Sequence, residues 1–263
     1  MNEMHIGLLS PEARTVRVQA KRRAALRWLR DEIWSTPEIL GQVMGLTARQ
    51  GVYQTLSKME RDGFIASADI LIFKKSTQRI VGITSHGLAH AFDSDEPLQR
   101  RPTFEPSKVK LTTMQHEVDI QKLRLQAEKA GWKGWMPGAR LGSSKGGANR
   151  PDATVLDTEQ KVVAVEVERT IKSLKRYEVI LSQYLQAIAK GEYGRVVWVC
   201  PTQDLTARLR RVVLSIKAVP INGKKIALEP RHYQLLAFLP YSHWPNISDG
   251  LEIHIGSPEM SNL

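Results

Sequence analysis

The sequence predicts an α/β (α+β) chain folded as two domains, and three observations carry that reading. Its 263 residues exceed what one hydrophobic core of about 100–200 residues usually serves. The N-terminal third gives three helical patterns followed by a β-prone hairpin and a short closing helix. The remainder alternates strand candidates with long helices, the pattern of a mixed sheet.

Composition narrows the partners. Lys and Arg number 38 against 27 Asp and Glu, a net charge of +11 at pH 7, which favours a polyanion. Anionic lipid is disfavoured, because no stretch approaches the roughly 18 consecutive apolar residues of a membrane span. The opening MNEMHIGLLSPEARTVR has no signal-peptide core or cleavage site, so a cytoplasmic protein without membrane insertion is expected. Cys200 stands alone, which excludes an intramolecular disulfide and a multi-cysteine zinc site. Any metal must then be held by His, Asp and Glu.

Residues 16–34 place Val16, Ala20, Ala24, Leu26, Leu29 and Ile33 near helical spacing, with Lys21, Arg22, Arg23, Arg27 and Arg30 elsewhere on the helix. In STPEILGQVMG, Ser35 or Thr36 caps a short helix with Pro37 at its first position, ending at Gly45. LTARQGVYQTLSKMERDGF predicts a third helix with Thr47 as N-cap, Val52, Leu56 and Met59 facing inward, and a stop at Asp62-Gly63. FIASADILIFKK and RIVGIT form a hairpin across the polar turn Lys74 to Gln78, and SHGLAHAF closes the unit with Ser85 as cap. Residues 93–110 hold three prolines and little periodicity, which reads as a linker between a domain at 16–92 and one at 111–263.

The second domain opens with the helix MQHEVDIQKLRLQAEKAGW, closing at Gly131. GARLGSSKGGANR is an exposed glycine-rich loop whose Lys145 and Arg150 can face phosphate. Strand candidates DATVLD and KVVAVEVE follow, then a helix from about Ile171 to Lys190, the strand RVVWVC, the helix LTARLRRVVLSI and late β runs KIALEP and YQLLAFL. Asp152 opens one strand, and Glu166 and Glu168 share a face of the next. KVVAVEVE has the continuous β-branched make-up of a buried strand, where unpaired carboxylates would cost several kcal/mol. They require a cation, either a metal or Lys and Arg.

The N-terminal order resembles winged helix-turn-helix domains, whose third helix lies in the major groove. That resemblance places Arg49, Gln50, Tyr53, Gln54 and Lys58 on the DNA side. Pro151-Asp152 and Glu166-Val167-Glu168 resemble the PD-(D/E)XK nuclease pattern of the restriction-endonuclease-like fold. Glu168 occupies the position where that pattern has lysine, and Lys172, expected at the start of the next helix, can return an ammonium to the site. Some members of the superfamily supply a histidine ligand from the preceding helix, which here is His116, with Glu117 beside it as a second candidate site residue.

More specifically, the winged helix, MQHEVDIQKLRL, RPDA and VEVERTIKSLKRYEVILSQYL together resemble the plasmid replication-relaxation group, which includes the MOBC-type mobilisation relaxases. The resemblance implies a relaxase that binds double-stranded and single-stranded plasmid DNA at a transfer origin, nicks one strand and works with a conjugative coupling protein. It implies a Mg²⁺ or Mn²⁺ site of His116, Asp152 and Glu166. Lys172 would stabilise the transition state, and Glu168 would orient Lys172 or accept a proton. Tyr177 and Tyr184 lie seven apart on one side of the following helix; either can contact DNA or act as nucleophile, with water the preferred nucleophile and core packing the expectation for Tyr184. Two alternatives remain: a non-enzymatic DNA-binding regulator or replication-control protein with a degenerate nuclease domain, supported by Glu168 in the lysine position, and a double-strand endonuclease.

Overall fold

The computed structural model describes residues 10–72, 76–141 and 150–247. The chain is a mixed α/β protein that divides into two compact units, 1–121 and 122–263. Among the described residues, no helix is long and apolar enough to cross a membrane.

The first unit begins with α1 (Pro11–Glu32), capped by Ser10 and started by Pro11. Its buried residues Ala25, Leu26, Trp28 and Leu29 all lie in the C-terminal half. A two-residue strand β1 (Trp34–Ser35) leads to α2 (Pro37–Val43), where Thr36 accepts from the Ile39 amide and Pro37 occupies the first turn as expected. Helix α3 (Arg49–Arg61) buries Val52, Leu56 and Met59. Its N-cap is Ala48, which offers no side-chain acceptor, so the helix starts one residue later than a Thr47 cap would set it.

Gly63, at φ 76, reverses the chain into β2 (Ile65–Leu71) and β3 (Thr77–Ile83), an antiparallel pair. The sheet order is β1-β3-β2. In α4 (Ser85–Ala89) the cap is Thr84, whose hydroxyl accepts from the Gly87 amide at 3.0 Å, in place of the expected Ser85.

The stretch read as a linker packs on this unit. Asp93 pairs with Arg23 and Arg27, and Glu96 with Arg30 at 2.7 Å. The Phe104 amide donates to the Ile83 carbonyl at 2.9 Å. The Phe104 ring covers Gly82, where a Cβ would meet it at 2.0 Å, so only glycine admits it. Acidic residues facing a basic helix and one aromatic in a glycine notch outweigh the prolines. The boundary between units falls instead within α5 (Leu111–Lys129), whose Gln121 accepts from Ser35 Oγ at 2.6 Å and donates to the Trp34 carbonyl at 2.9 Å.

The second unit is built on a five-stranded sheet, β10-β7-β6-β5-β4. Strands β4 (Lys133–Pro137), β5 (Ala153–Leu156) and β6 (Val162–Val167) are antiparallel neighbours. Helix α6 (Leu174–Ala189) then connects β6 to the parallel strand β7 (Arg195–Cys200). Helix α7 (Gln203–Leu214) and the hairpin β8 (Ala218–Ile221) and β9 (Lys224–Ala227) follow. Asn222 and Gly223, both at positive φ, close that hairpin as a two-residue turn demands. After α8 (Pro230–Tyr233), β10 (Leu236–Pro240) adds in parallel to β7.

The core lies between α6, α7 and the central strands, around Tyr177, Leu181, Tyr184, Trp198 and Leu209. Trp198 stacks on Phe238 at 5.3 Å and meets Tyr184 edge-on at 5.9 Å. The mixed sheet agrees with expectation; β1, β4 and β8 are additions that the sequence patterns did not signal.

Candidate functional site

Val162, Val163, Val165 and Val167 commit β6 to a strand, and its ladder with β5 ends at the pair Ala153 and Val165. One step further along stand Asp152 and Glu166. Asp152 is fixed there by accepting from the Val167 amide at 2.7 Å. Gly138 donates its amide to the Asp152 carbonyl at 2.7 Å, and a Cβ on Gly138 would meet the Pro151 carbonyl at 2.1 Å. Glycine is therefore what lets this backbone close behind Pro151-Asp152.

Because side chains alternate along a strand, Ala164, Glu166 and Glu168 share the face of β6 that meets α6. Two tyrosines of α6 reach them. The Tyr184 hydroxyl donates to Glu166, and the Tyr177 hydroxyl donates to Glu168 at 3.0 Å. The pairing follows from direction. Since α6 runs back along β6, the earlier tyrosine meets the later glutamate; two helical turns, about 10 Å, face two strand residues, about 7 Å.

Glu168, only 4% exposed, also forms an ion pair with Lys172. The Lys172 amide donates to the Tyr177 hydroxyl at 3.1 Å, and its Nζ lies 5.9 Å from that ring. Lys172 sits in the loop before α6, which is capped by Ser173, and not at the start of the helix as expected. The loop position suffices to bring its ammonium to Glu168.

Electrostatics single out Glu166. Burial, and then the charge of Asp152, push its carboxyl up from 4.5 to about 8; the Tyr184 hydrogen bond and Lys172 pull the other way. The Tyr177 phenol is raised chiefly by burial, and at 1% exposure it is packed in the core. Burial likewise raises the Cys200 thiol to about 12, which removes it as a nucleophile near neutral pH.

The structure thus brings Asp152, Glu166, Glu168, Lys172 and Tyr177 together in the second unit. His116 and Glu117 lie on α5 within the first unit, where Thr113 Oγ1 donates to Glu117 at 2.8 Å. Among the described residues, no group of three or more His, Cys, Asp or Glu side chains is arranged to hold a metal. Asp152 and Glu166 form a two-carboxylate donor set whose mutual repulsion a divalent cation would relieve. Tyr184, expected to be a packing residue, is both buried and bonded to Glu166. Its spacing of seven residues from Tyr177 puts both rings on one side of the helix but does not reveal that their hydroxyls meet the two glutamates.

Of the residues assigned to DNA, Arg49, Gln50, Gln54 and Lys58 are exposed on α3 and Tyr53 is half-buried beneath Arg49, whose guanidinium lies 5.4 Å from its ring. Arg150 is exposed and donates to the Leu141 carbonyl at 2.9 Å. Lys145 lies outside the described residues, as does Lys74 in the hairpin turn. No protein-family model and no curated protein matches the sequence.

Proposed function

We propose that the chain is a plasmid mobilisation relaxase of the PD-(D/E)XK type: a DNA-binding protein that nicks one strand at a transfer origin with the help of Mg²⁺ or Mn²⁺. The observation that carries this reading is Asp152 facing Glu166 across two strands, with Glu166 pushed up to about 8. A half-buried carboxyl that holds its proton to about 8 beside a second carboxylate is a perturbed pair of the kind that a bound cation would ionise. Asp152 and Glu166 would hold the ion. Bound there, it would supply positive charge to the scissile phosphate and lower the pKa of a water.

The protein's own groups have distinct roles in this reading. Glu168 holds the Lys172 ammonium beside the carboxylate pair, where it neutralises charge developing on a phosphate. Tyr177 positions Glu168 from within the core, so water is the better nucleophile. Exposed Arg49, Gln50, Gln54 and Lys58 support a DNA-facing role for α3, and the helix, helix, helix, hairpin order with an added strand supports a winged helix.

A second reading has its own support. Glu166 and Glu168 both have protein hydrogen-bond partners, as a structural, non-enzymatic DNA-binding regulator would have them. Supercoiled plasmid bearing the protein's transfer origin separates the two. Incubated with Mn²⁺, the relaxase gives open circles that disappear with EDTA and in Glu166→Ala. A gel shift with unchanged supercoils would favour the regulator, and linear product would indicate a double-strand endonuclease.

A further inference from the structure

The N-terminal half of α1 carries charge that neither the carboxylate pair nor the outer face of α3 uses. Every residue from Pro11 to Ala20 is exposed, with Val16 at 68% and Val18 at 48%. Arg14, Arg17 and Lys21 fall at helical spacing on one stripe. They make no ion pair with a described residue, whereas Arg23, Arg27 and Arg30 further along are matched by Asp93 and Glu96.

This half of α1 borders α3 across a groove of about 320 Å³ lined by Arg14, Val18, Arg22, Lys58, Met59 and Asp62 among others. Three cations from two helices face one acid there. Arg22 is positioned, its guanidinium lying 4.7 Å over the Phe64 ring and donating to Gln19 Oε1 at 2.7 Å. Such pre-ordering lowers the entropy lost when the group engages an anion.

We propose that this groove clamps the sugar-phosphate backbone of duplex DNA, with Arg14, Arg22 and Lys58 contacting phosphates and Arg17 and Lys21 extending the track along α1. The proposal rests on the reading of α3 as the DNA-facing helix and adds the strand flanking its contact. Lys58 belongs to both surfaces, so the cationic track is continuous with Gln54 and Gln50 on α3. A second copy of the chain is a poor occupant, since a two-fold contact would set this unmatched positive stripe against itself. The chain's net charge of +11 points the same way.

The test is binding of the full chain to a mixed-sequence DNA duplex, followed by fluorescence anisotropy across a range of NaCl concentrations. Each phosphate contact contributes about 0.9 to the log–log salt slope. The slope should shrink by about two in the double variant Arg14→Gln, Arg22→Gln and by about one in Arg14→Gln alone. The single variant leaves Arg22 on Phe64, so it reports even where the double variant unfolds. An unchanged slope in Arg14→Gln would overturn the clamp.

Arg49→Ala with Gln54→Ala, measured alongside, separates this failure from that of the underlying reading. If those changes weaken binding while Arg14→Gln does not, the clamp falls and α3 keeps its assignment. If neither set weakens binding, both fall. Self-association lost in Arg14→Gln with the DNA slope intact would assign the groove to a second copy and overturn the proposal.

Discussion

Helices α3 and α6 are both amphipathic, yet they dispose of their polar groups in opposite ways. On α3, Val52, Leu56 and Met59 supply the buried face, while Arg49, Gln50, Gln54 and Lys58 remain in solvent. On α6, the buried face itself contains hydroxyls: Tyr177 and Tyr184, each 1% exposed, donate to Glu168 and Glu166. Polar groups on α3 cost nothing to leave unsatisfied and are available to an outside partner. Those on α6 had to be paired as the chain folded, and their partners are the acids of the candidate site. The contrast distinguishes polar groups left to solvent from polar groups paired inside the fold.

If that distinction holds, changes on the two helices should separate by kind and size. On the proposed relaxase reading, Asp152→Ala or Glu166→Ala should lower plasmid nicking by more than about a thousandfold while duplex binding persists, since a cation held there would supply several kcal/mol of charge stabilisation. Nicking and anisotropy measured on the same preparations check this, and nicking retained in both variants would break the comparison. Trp198→Ala, which removes the ring between Phe238 and Tyr184, should cost about 3–5 kcal/mol in urea unfolding. Gln54→Ala should change stability by no more than about 0.5 kcal/mol.

The pH dependence sharpens the same point. In metal-free protein Glu166 keeps its proton to about 8, whereas in the unfolded chain it loses it near 4.5. Its raised value therefore contributes stability that is full below 4.5 and is lost as pH rises to about 8. The melting temperature of wild type should decline across that window relative to Glu166→Gln, as calorimetry can follow. Tyr184→Phe removes a hydrogen bond that lowers the Glu166 value, so the end of the decline should move to higher pH. Lys172→Met should have a smaller effect, about 1–3 kcal/mol by chemical denaturation, because it leaves buried Glu168 without its cation.

Much of this arrangement was legible in the sequence because it depends on local pattern. A β-branched run marks β6, an amphipathic repeat marks α3 and α6, and a proline inside the first turn marks α2. Asp152 and Glu166 could be paired because each sits at the end of a recognisable strand. What escaped depends on contacts distant in sequence. Strand β4 is short, lies at the sheet edge and contains Gly134 and Pro137, so no period announces it. The stretch after α4 has a linker's composition but is held by Asp93 on α1 and Phe104 on Gly82. Tyr184 looked like packing because a hydrophobic repeat does not distinguish a ring that only fills space from one whose hydroxyl meets a carboxylate.

The most direct measurement is Mn²⁺ binding to the full chain by titration calorimetry, repeated with Asp152→Asn and Glu166→Gln. If the paired carboxylates are a cation centre, wild type binds the ion with release of a proton near neutral pH, and each variant loses that binding. Wild-type protein that takes up no Mn²⁺, or variants that bind it as wild type does, would contradict the assignment of Asp152 and Glu166.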